Sequence, residues 1–316
     1  MELVIQDSNS RKIYDVSEIA EKVNFQSNMR DGASKLTFSY LKEKSRIFNN
    51  GSIVRFKYSG TNIFYGRIFK VDTSEENKVS VTCYDQLKYL KNKDSMILKG
   101  CTSSKIVKIA CDRMQLMVGE IEDSKYIIVD RIIDNKTYLD AIYESIDDTL
   151  LATSRKYILF DNFGSIEFRN AENLRVPILI GDRSLAYGYS YSKSIDGESY
   201  NQIKLARDNK STGTRENFIV KDGENIAKWG TLQYYEKVNE SQNDAQIKQK
   251  ANDLLKLYNR EEESLSLSAF GDTRIRGGTG ILVRLEDLNI EQWFMVKSVT
   301  HEFSKDIHTM DLELVI

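Results

Sequence analysis

The sequence predicts a β-rich α+β chain in which two antiparallel strand domains flank a small α+β segment. Three observations predict it. Apolar and polar residues alternate through the first 95 positions and again beyond about 185. Between those stretches the apolar spacing becomes helical. Clusters of glycine, asparagine and serine separate the strand-like runs. At 316 residues the chain is long enough for two or three domains. The pattern divides it into 1–95, 96–183 and 184–316.

In the first division, Leu36, Phe38 and Tyr40 alternate with Thr37 and Ser39. Val54, Phe56 and Tyr58 alternate with Arg55 and Lys57, and Val79, Val81 and Cys83 with Ser80 and Thr82. This is the period of half-buried antiparallel strands. Asn49-Asn50-Gly51 and Ser59-Gly60-Thr61-Asn62 are turn chemistry. Gly66, inside the run 63–71, suggests a bulge or bend. A closed or nearly closed barrel is expected, because closure removes adhesive edges. Residues 85–90 read as a short helix whose Leu87 and Leu90 face that barrel.

In the second division, Ser103-Ser104 caps a helix with the stripe Ile106, Val107, Ala110, Cys111, Met114, Met117 and Val118. Residues 126–129 read as a short strand. Thr137 caps a second helix with Leu139, Ile142, Ile146 and Leu150 on one face. Residues 156–160 and 165–168 form a hairpin around Asp161-Asn162-Phe163-Gly164. In the third division strands are expected at 187–191, 201–206, 214–220, 265–269, 279–285, 293–303 and 310–316. In the last of these, Met310, Leu312, Leu314 and Ile316 share a face. A helix over 243–259, with Ile247, Ala251, Leu254 and Tyr258 in line, packs on this domain.

Composition excludes several classes. Apolar residues make up 41% and charged residues 29%, which is globular rather than disordered. Lys+Arg total 45 against 47 Asp+Glu, a net charge of -2. That balance gives no footprint for stable, specific nucleic-acid binding. Cys83, Cys101 and Cys111 are odd in number and lack CxxC spacing, which argues for folding in a reducing compartment. The opening residues have no basic and apolar signal regions, and no run reaches the ~18 apolar residues of a membrane span. The chain is expected to be made in the cytoplasm, soluble, with no membrane insertion of its own. A single proline, Pro177, and the absence of low-complexity tracts suggest domains that abut or interlock.

Candidate chemistry is sparse. With a loop at 304–307, His301 opposes Met310 and shares a face with His308. Two imidazoles without a further Cys or His make a poor zinc site, and Asp311 projects to the other face. Packing within a hairpin is the simpler reading. A Ser-His-Asp or Cys-His site would have to use one of these two histidines, and no GxSxG elbow occurs. The cysteines fit buried strand and helix positions. Carboxylate runs at Glu75-Glu76, Asp147-Asp148 and Glu261-Glu262-Glu263 sit at turns or helix ends, where solvated charge is the default; a glycosidase pair would need two carboxylates held in a cleft. Gly277-Gly278-Thr279-Gly280 lacks the Lys-Ser/Thr and helix of a phosphate loop, and is expected to be a tight turn needing positive φ. Arg274 and Arg276 flank it as rim or interface candidates. Tyr187, Tyr189 and Tyr191 line one face of a strand, fit for core or subunit packing or for a carbohydrate platform. No catalytic, metal or cofactor site is assigned.

Several segments resemble one family. They are Val81-Thr82-Cys83-Tyr84-Asp85-Gln86-Leu87-Lys88-Tyr89-Leu90, residues 132–152 followed by Asp161-Asn162-Phe163-Gly164, and Gly230-Thr231-Leu232-Gln233-Tyr234-Tyr235-Glu236-Lys237-Val238. The C-terminal part is the most specific: Gly271-Asp272, Arg276-Gly277-Gly278, the segment Trp293 to His301, and His308-Thr309-Met310-Asp311-Leu312. In order and spacing these resemble the XkdQ-like baseplate hub proteins of contractile phage, PBSX-type and R-type bacteriocin tails. Trp293 departs from the small residue more usual there. The resemblance implies two tube-protein-like antiparallel β-barrel domains with a small α+β insertion. It implies a homotrimeric ring that adapts a hexameric tail tube, or its initiator, to a trimeric central spike. Tape-measure and wedge proteins are further partners it suggests, with the assembled tail as the final location. A tail-tip cell-wall hydrolase and a carbohydrate-binding tail module are the competing functions.

Overall fold

The computed structural model describes residues 1–30, 32–42, 47–75, 77–182, 184–209, 213–305 and 307–315. Of the residues read above, Glu76, Asp306 in the 304–307 loop and Ile316 lie outside the described residues. The N-terminal strands are β1 (Glu2–Gln6), β2 (Ile13–Asp15), β3 (Glu21–Asn28), β4 (Lys35–Leu41), β5 (Ile53–Tyr58), β6 (Thr61–Thr73) and β7 (Lys78–Tyr84). Next come β8 (Lys93–Leu98), α1 (Ser103–Arg113), β9 (Val118–Ile121), β10 (Arg131–Thr137), α2 (Tyr138–Thr153), β11 (Tyr157–Asn162) and β12 (Ser165–Asn170). They are followed by β13 (Arg175–Gly181), β14 (Ala186–Ser194), β15 (Gln202–Asn209), β16 (Thr214–Lys221), α3 (Gly223–Trp229) and β17 (Gln233–Lys237). The last elements are α4 (Asp244–Tyr258), β18 (Glu262–Phe270), β19 (Gly280–Leu285), β20 (Ile290–Phe303) and β21 (His308–Val315).

Contacts divide the chain into two compact units, one of residues 1–149, 155–190 and 265–316, the other of 150–154 and 191–264. The main sheet runs in the order β2-β1-β5-β6-β7-β4-β3-β20-β21-β18-β14, with β13 and β19 joined to it through β20. β20 is the splice. Its Ile290–Met295 half pairs with β19, its Ser298–Phe303 half pairs with β3, and its opposite edge pairs with β21. At ~3.3 Å per residue, its 14 residues extend roughly 45 Å, enough for two partners end to end along one edge. The β-rich antiparallel class is as expected. No sheet among the described residues closes, however, and the ladder is open from β2 to β14. Strands assigned by sequence to a second barrel extend the sheet of the first.

Alternation places the core. Leu3 and Ile5, Leu36 and Phe38, Val54 and Phe56, and Val79, Val81 and Cys83 all bury on one side, and Phe303 of β20 packs among them. Each such apolar side chain contributes about 1.5–3 kcal/mol relative to exposure. Register shifts at Phe56/Lys57 and at Ile68/Lys70 bend β6 against its neighbours, the irregularity that Gly66 signalled.

A second core lies in the α+β part. Leu87 and Leu90, on a 3-10 turn at Gln86–Lys91, pack here with Ile106, Val107, Ile142 and Phe168, not into the N-terminal strand core as expected. The α1 N-cap is Thr102, one residue before the predicted pair. Its hydroxyl accepts from Lys105 N, while Ser103 is buried and hydrogen-bonded to the Ser145 carbonyl. α1 stops at Arg113 because Gln115 takes φ 55°, so Met117 and Val118 lie beyond it, exposed. The predicted strand at 126–129 is reduced to one bridge, Thr102 to Ile127. Thr137 and Asp140 cap α2 reciprocally, as the sequence suggested for Thr137.

In the second unit, β15 is central, antiparallel to β16 and parallel to β17. α4 begins with a full capping box, Asn243 with Gln246, and buries Ile247, Ala251 and Leu254 against Ile203 and Leu205. α3 follows the Asp222-Gly223 turn, where Asp222 caps it. Its residues carry no apolar stripe long enough to announce a helix.

Candidate functional site

Five segments of the first unit converge around the turn that joins β18 to β19. Arg276 to Thr279 form a turn closed by Thr279 N donating to the Arg276 carbonyl. The Thr279 hydroxyl donates to that same carbonyl at 2.7 Å. Gly278 has φ 91°, in the region glycine favours, and a Cβ there would meet Ile158 Cγ2 at 2.5 Å. Gly277 lies against β3, and a Cβ there would meet Asn28 C at 2.2 Å. Gly277 N donates to Ser27 Oγ, and Gly278 N to the Val296 carbonyl. The turn thus ties β3, β11 and β20 together. This is the backbone requirement the glycine run implied.

Arg276 extends from the turn into the protein. Its guanidinium lies 4.3 Å from the Phe160 ring centroid and donates from Nη2 to the Asp161 carbonyl at 2.7 Å. The residue is half-buried as a whole, but its charged end is enclosed. One of its guanidinium donors and its ring contact are thus used within the chain. Arg274 is exposed and forms an ion pair with Asp272 at 2.6 Å.

Beneath Arg276 lie two acids the sequence did not single out. Asp85 Oδ2 accepts from Ser34 N at 2.8 Å and Oδ1 from Leu87 N at 3.0 Å. Asp161 Oδ1 accepts from Gly164 N at 2.7 Å and Oδ2 from Gln86 N at 3.3 Å. Burial raises both carboxyls above the usual range, and the charge of Asp161 raises Asp85 further. The fields of Asp161, Asp85 and Glu167 oppose the effect of burial on Arg276. Raised carboxyl pKa values are also a mark of glycosidase acids. Here, though, the oxygens are occupied by backbone N–H donors, and both residues are buried. A pocket of about 190 Å³ nearby is lined by Phe25, Asn162, Arg274, Arg276, His301 and Phe303 among others, with neither acid in its wall.

The two histidines meet as the hairpin register requires. His301 opposes Met310, and its Nδ1 lies 2.9 Å from His308 Nε2. His301 Nε2 lies 2.9 Å from the Ile275 carbonyl, which can only accept, so Nε2 carries hydrogen and Nδ1 accepts from His308. Burial, above all, lowers both imidazoles to about 4. Among the described residues, no group of three or more His, Cys, Asp or Glu is placed to hold a metal. Cys83, Cys101 and Cys111 are buried free thiols, and burial pushes Cys111 up to about 12 and Cys83 higher.

The carboxylate runs are dispersed. Asp147 pairs with Arg30, Asp148 with Arg131, and Glu263 with Lys193. The tyrosine face lies on β14, the strand at one end of the main ladder. Tyr187 is 61% and Tyr189 41% exposed, and Tyr187 packs edge-on against the exposed Phe270. Tyr191 is half-buried, its hydroxyl donating to Glu263 at 2.7 Å. No described helix is long and apolar enough to cross a membrane.

Comparison with known proteins gives a consistent set. A model of the YQBQ-like family matches residues 23–315. The phage-like element PBSX protein XkdQ of Bacillus subtilis (strain 168) is 27% identical over 271 residues, covering 84% of this chain and 82% of that one. The solved tail protein of Neisseria meningitidis MC58 superposes with a TM-score of 0.72 at 15% identity, covering 100% of this chain and 96% of that one. The 43 kDa tail protein of prophage MuSo2 from Shewanella oneidensis gives 0.70 at 13% identity, covering 100% and 98%. At such identities the two solved proteins share the fold.

Proposed function

The chain belongs to the YQBQ-like family, and on that premise we propose that it is the baseplate hub of a contractile phage or phage-like tail, a structural protein without turnover. One observation carries the proposal: the fold of solved tail proteins, one of them from a prophage, accounts for the whole chain, and a relative over most of its length belongs to a phage-like element. The hub is a homotrimeric ring between a hexameric tube and a trimeric spike. In it, the divisions 1–95 and 184–316 supply the tube-like halves and 96–183 the periphery. Tube or tube-initiator protein, spike protein, tape-measure protein and wedge proteins are its partners, and the assembled tail of a virion or bacteriocin particle is where it resides. Tyr187, Tyr189, Tyr191, Arg274 and Arg276 are its contact candidates. The buried, backbone-bonded state of Asp85 and Asp161 weighs against a wall hydrolase.

Light scattering of the purified chain, alone and with tube or spike protein, tests this. A mass of three chains and a stable complex with either partner are expected. A monomer that binds neither refutes the hub. Release of peptidoglycan fragments, lost on Asp161→Asn with the fold retained, would assign an enzyme instead.

A further inference from the structure

In the second unit, one face of the β16-β15-β17 sheet is covered by α4 and the other is bare. Along β16 and β17 every second residue is exposed, and these residues form the face opposite the helix. Lys204 lies at its centre, opposite Ile219 on one side and Tyr235 on the other, which are 53% and 49% exposed. Around them stand Arg215, Lys221 and Lys237, with Asp208 as the one carboxylate of that face. Asp208 holds Arg215 at 2.7 Å and Lys237 at 2.5 Å. Four cations against one anion leave this face at +3. The whole chain is -2, so the remainder is -5.

One place in the first unit concentrates opposite charge. At the tip between β19 and β20, Asp182 Oδ2 accepts from Glu286 N at 2.7 Å. Glu286, Asp287 and Glu291 lie beside it, all exposed. Arg284 pairs with Glu291 at 2.7 Å at this tip; Arg183 is outside the described residues.

We propose that the bare basic face of β15–β17 docks on the acidic β19–β20 tip of a second copy of this chain. Ile219 and Tyr235 give the contact an apolar centre, and Lys204 and Lys221 set its register against Glu286 and Asp287. The contact is heterologous, a face of one copy meeting a different face of the next, so a closed trimer would repeat it three times around its ring. Charge complementarity of this kind fixes orientation and speeds encounter more than it adds affinity. The inference rests on the trimeric reading and supplies it with a contact.

Charge reversal of the full chain tests it, with sedimentation velocity as the readout and circular dichroism as the fold control. Lys204→Glu/Lys221→Glu and, separately, Glu286→Lys/Asp287→Lys are each expected to weaken self-association ~10-fold or more. The chain carrying all four changes is expected to regain it, and wild-type association to weaken with added salt. Lys204→Ala/Lys221→Ala replaces the first variant if reversal disturbs folding, with a smaller loss expected. Single-site reversals that assemble like wild type, or a fourfold variant as weak as either parent, overturn the docking while leaving the trimer standing. A wild-type chain that is monomeric throughout removes the trimer itself. Duplex DNA binding lost on Lys204→Glu/Lys221→Glu with assembly unchanged gives the face to nucleic acid and also overturns the docking.

Discussion

Acidification from about pH 7 to about pH 4.5 should cost the folded state stability through its histidine pair. Both imidazoles are held at about 4 in the folded chain, against an ordinary value of about 6.5. A folded pKa below the unfolded one gives stability that is fully present above about pH 6.5 and is lost as pH falls through about 4. Between about pH 7 and about pH 4.5, His301 accounts for ~2 kcal/mol. His308 is half-exposed, and solvent screening reduces its share to about half that. Together they amount to ~3 kcal/mol. The structural cause is specific: a proton on His301 Nδ1 would face His308 Nε2–H at 2.9 Å. Asp85 and Asp161 act oppositely, since their raised carboxyls favour the folded state as pH falls. The assay is therefore differential. Urea unfolding across this window should show wild type losing ~3 kcal/mol more than the His301→Gln/His308→Gln variant. Parallel stability–pH curves for the two proteins would refute the neutral, mutually bonded pair.

Two further substitutions probe the turn below β3. Gly277→Ala places a methyl 2.2 Å from the Asn28 carbonyl carbon and 2.3 Å from Met29 N, backbone atoms that cannot step aside. A loss of at least ~3 kcal/mol in chemical unfolding is expected, and a loss below about 1 kcal/mol would show that the turn yields. Arg276→Met keeps the contact with Phe160 but removes the cation facing Asp161 and Asp85. A loss of ~3 kcal/mol is expected, partly restored by adding Asp161→Asn, and additivity in that double-mutant cycle would deny the coupling.

Period-2 alternation was enough to place most strands, including β4, β5, β7 and β21, because each buries one face and so shows its period directly. α4 was legible from its stripe alone. The joining of β3 to β20 was not, since nothing local in Val23–Asn28 specifies a partner near residue 300. The same holds for the acids under Arg276. Asp85 and Asp161 lie 76 residues apart and look like ordinary turn residues, though Asp85 before Gln86-Leu87 carried an N-cap signal. The histidine pairing was legible because hairpin register alone brings His301 and His308 together. The bare face of the second unit was hidden for a different reason. Lys204 and Tyr235 become neighbours only when β17 returns parallel to β15 across α3, a helix too short and polar to be foreseen.

The shared strand β20 sets a timetable for synthesis. β3 finds its partner 270 to 280 residues downstream, from Asn28 with Ser298 to Val23 with Phe303. At about 5–20 residues per second, a ribosome takes roughly 15–55 s to travel that distance. Throughout that interval one edge of β3 waits unpaired, a template for pairing with any other chain. Asn24, Gln26 and Asn28 make its outward face polar while Val23 and Phe25 turn inward, which keeps the waiting edge from adhering to nascent neighbours. A chain whose translation stops before β20 leaves that edge open permanently and loses Phe303 from the N-terminal core. In effect the N-terminal sheet verifies that the rest of its own message has been read before it becomes a finished surface.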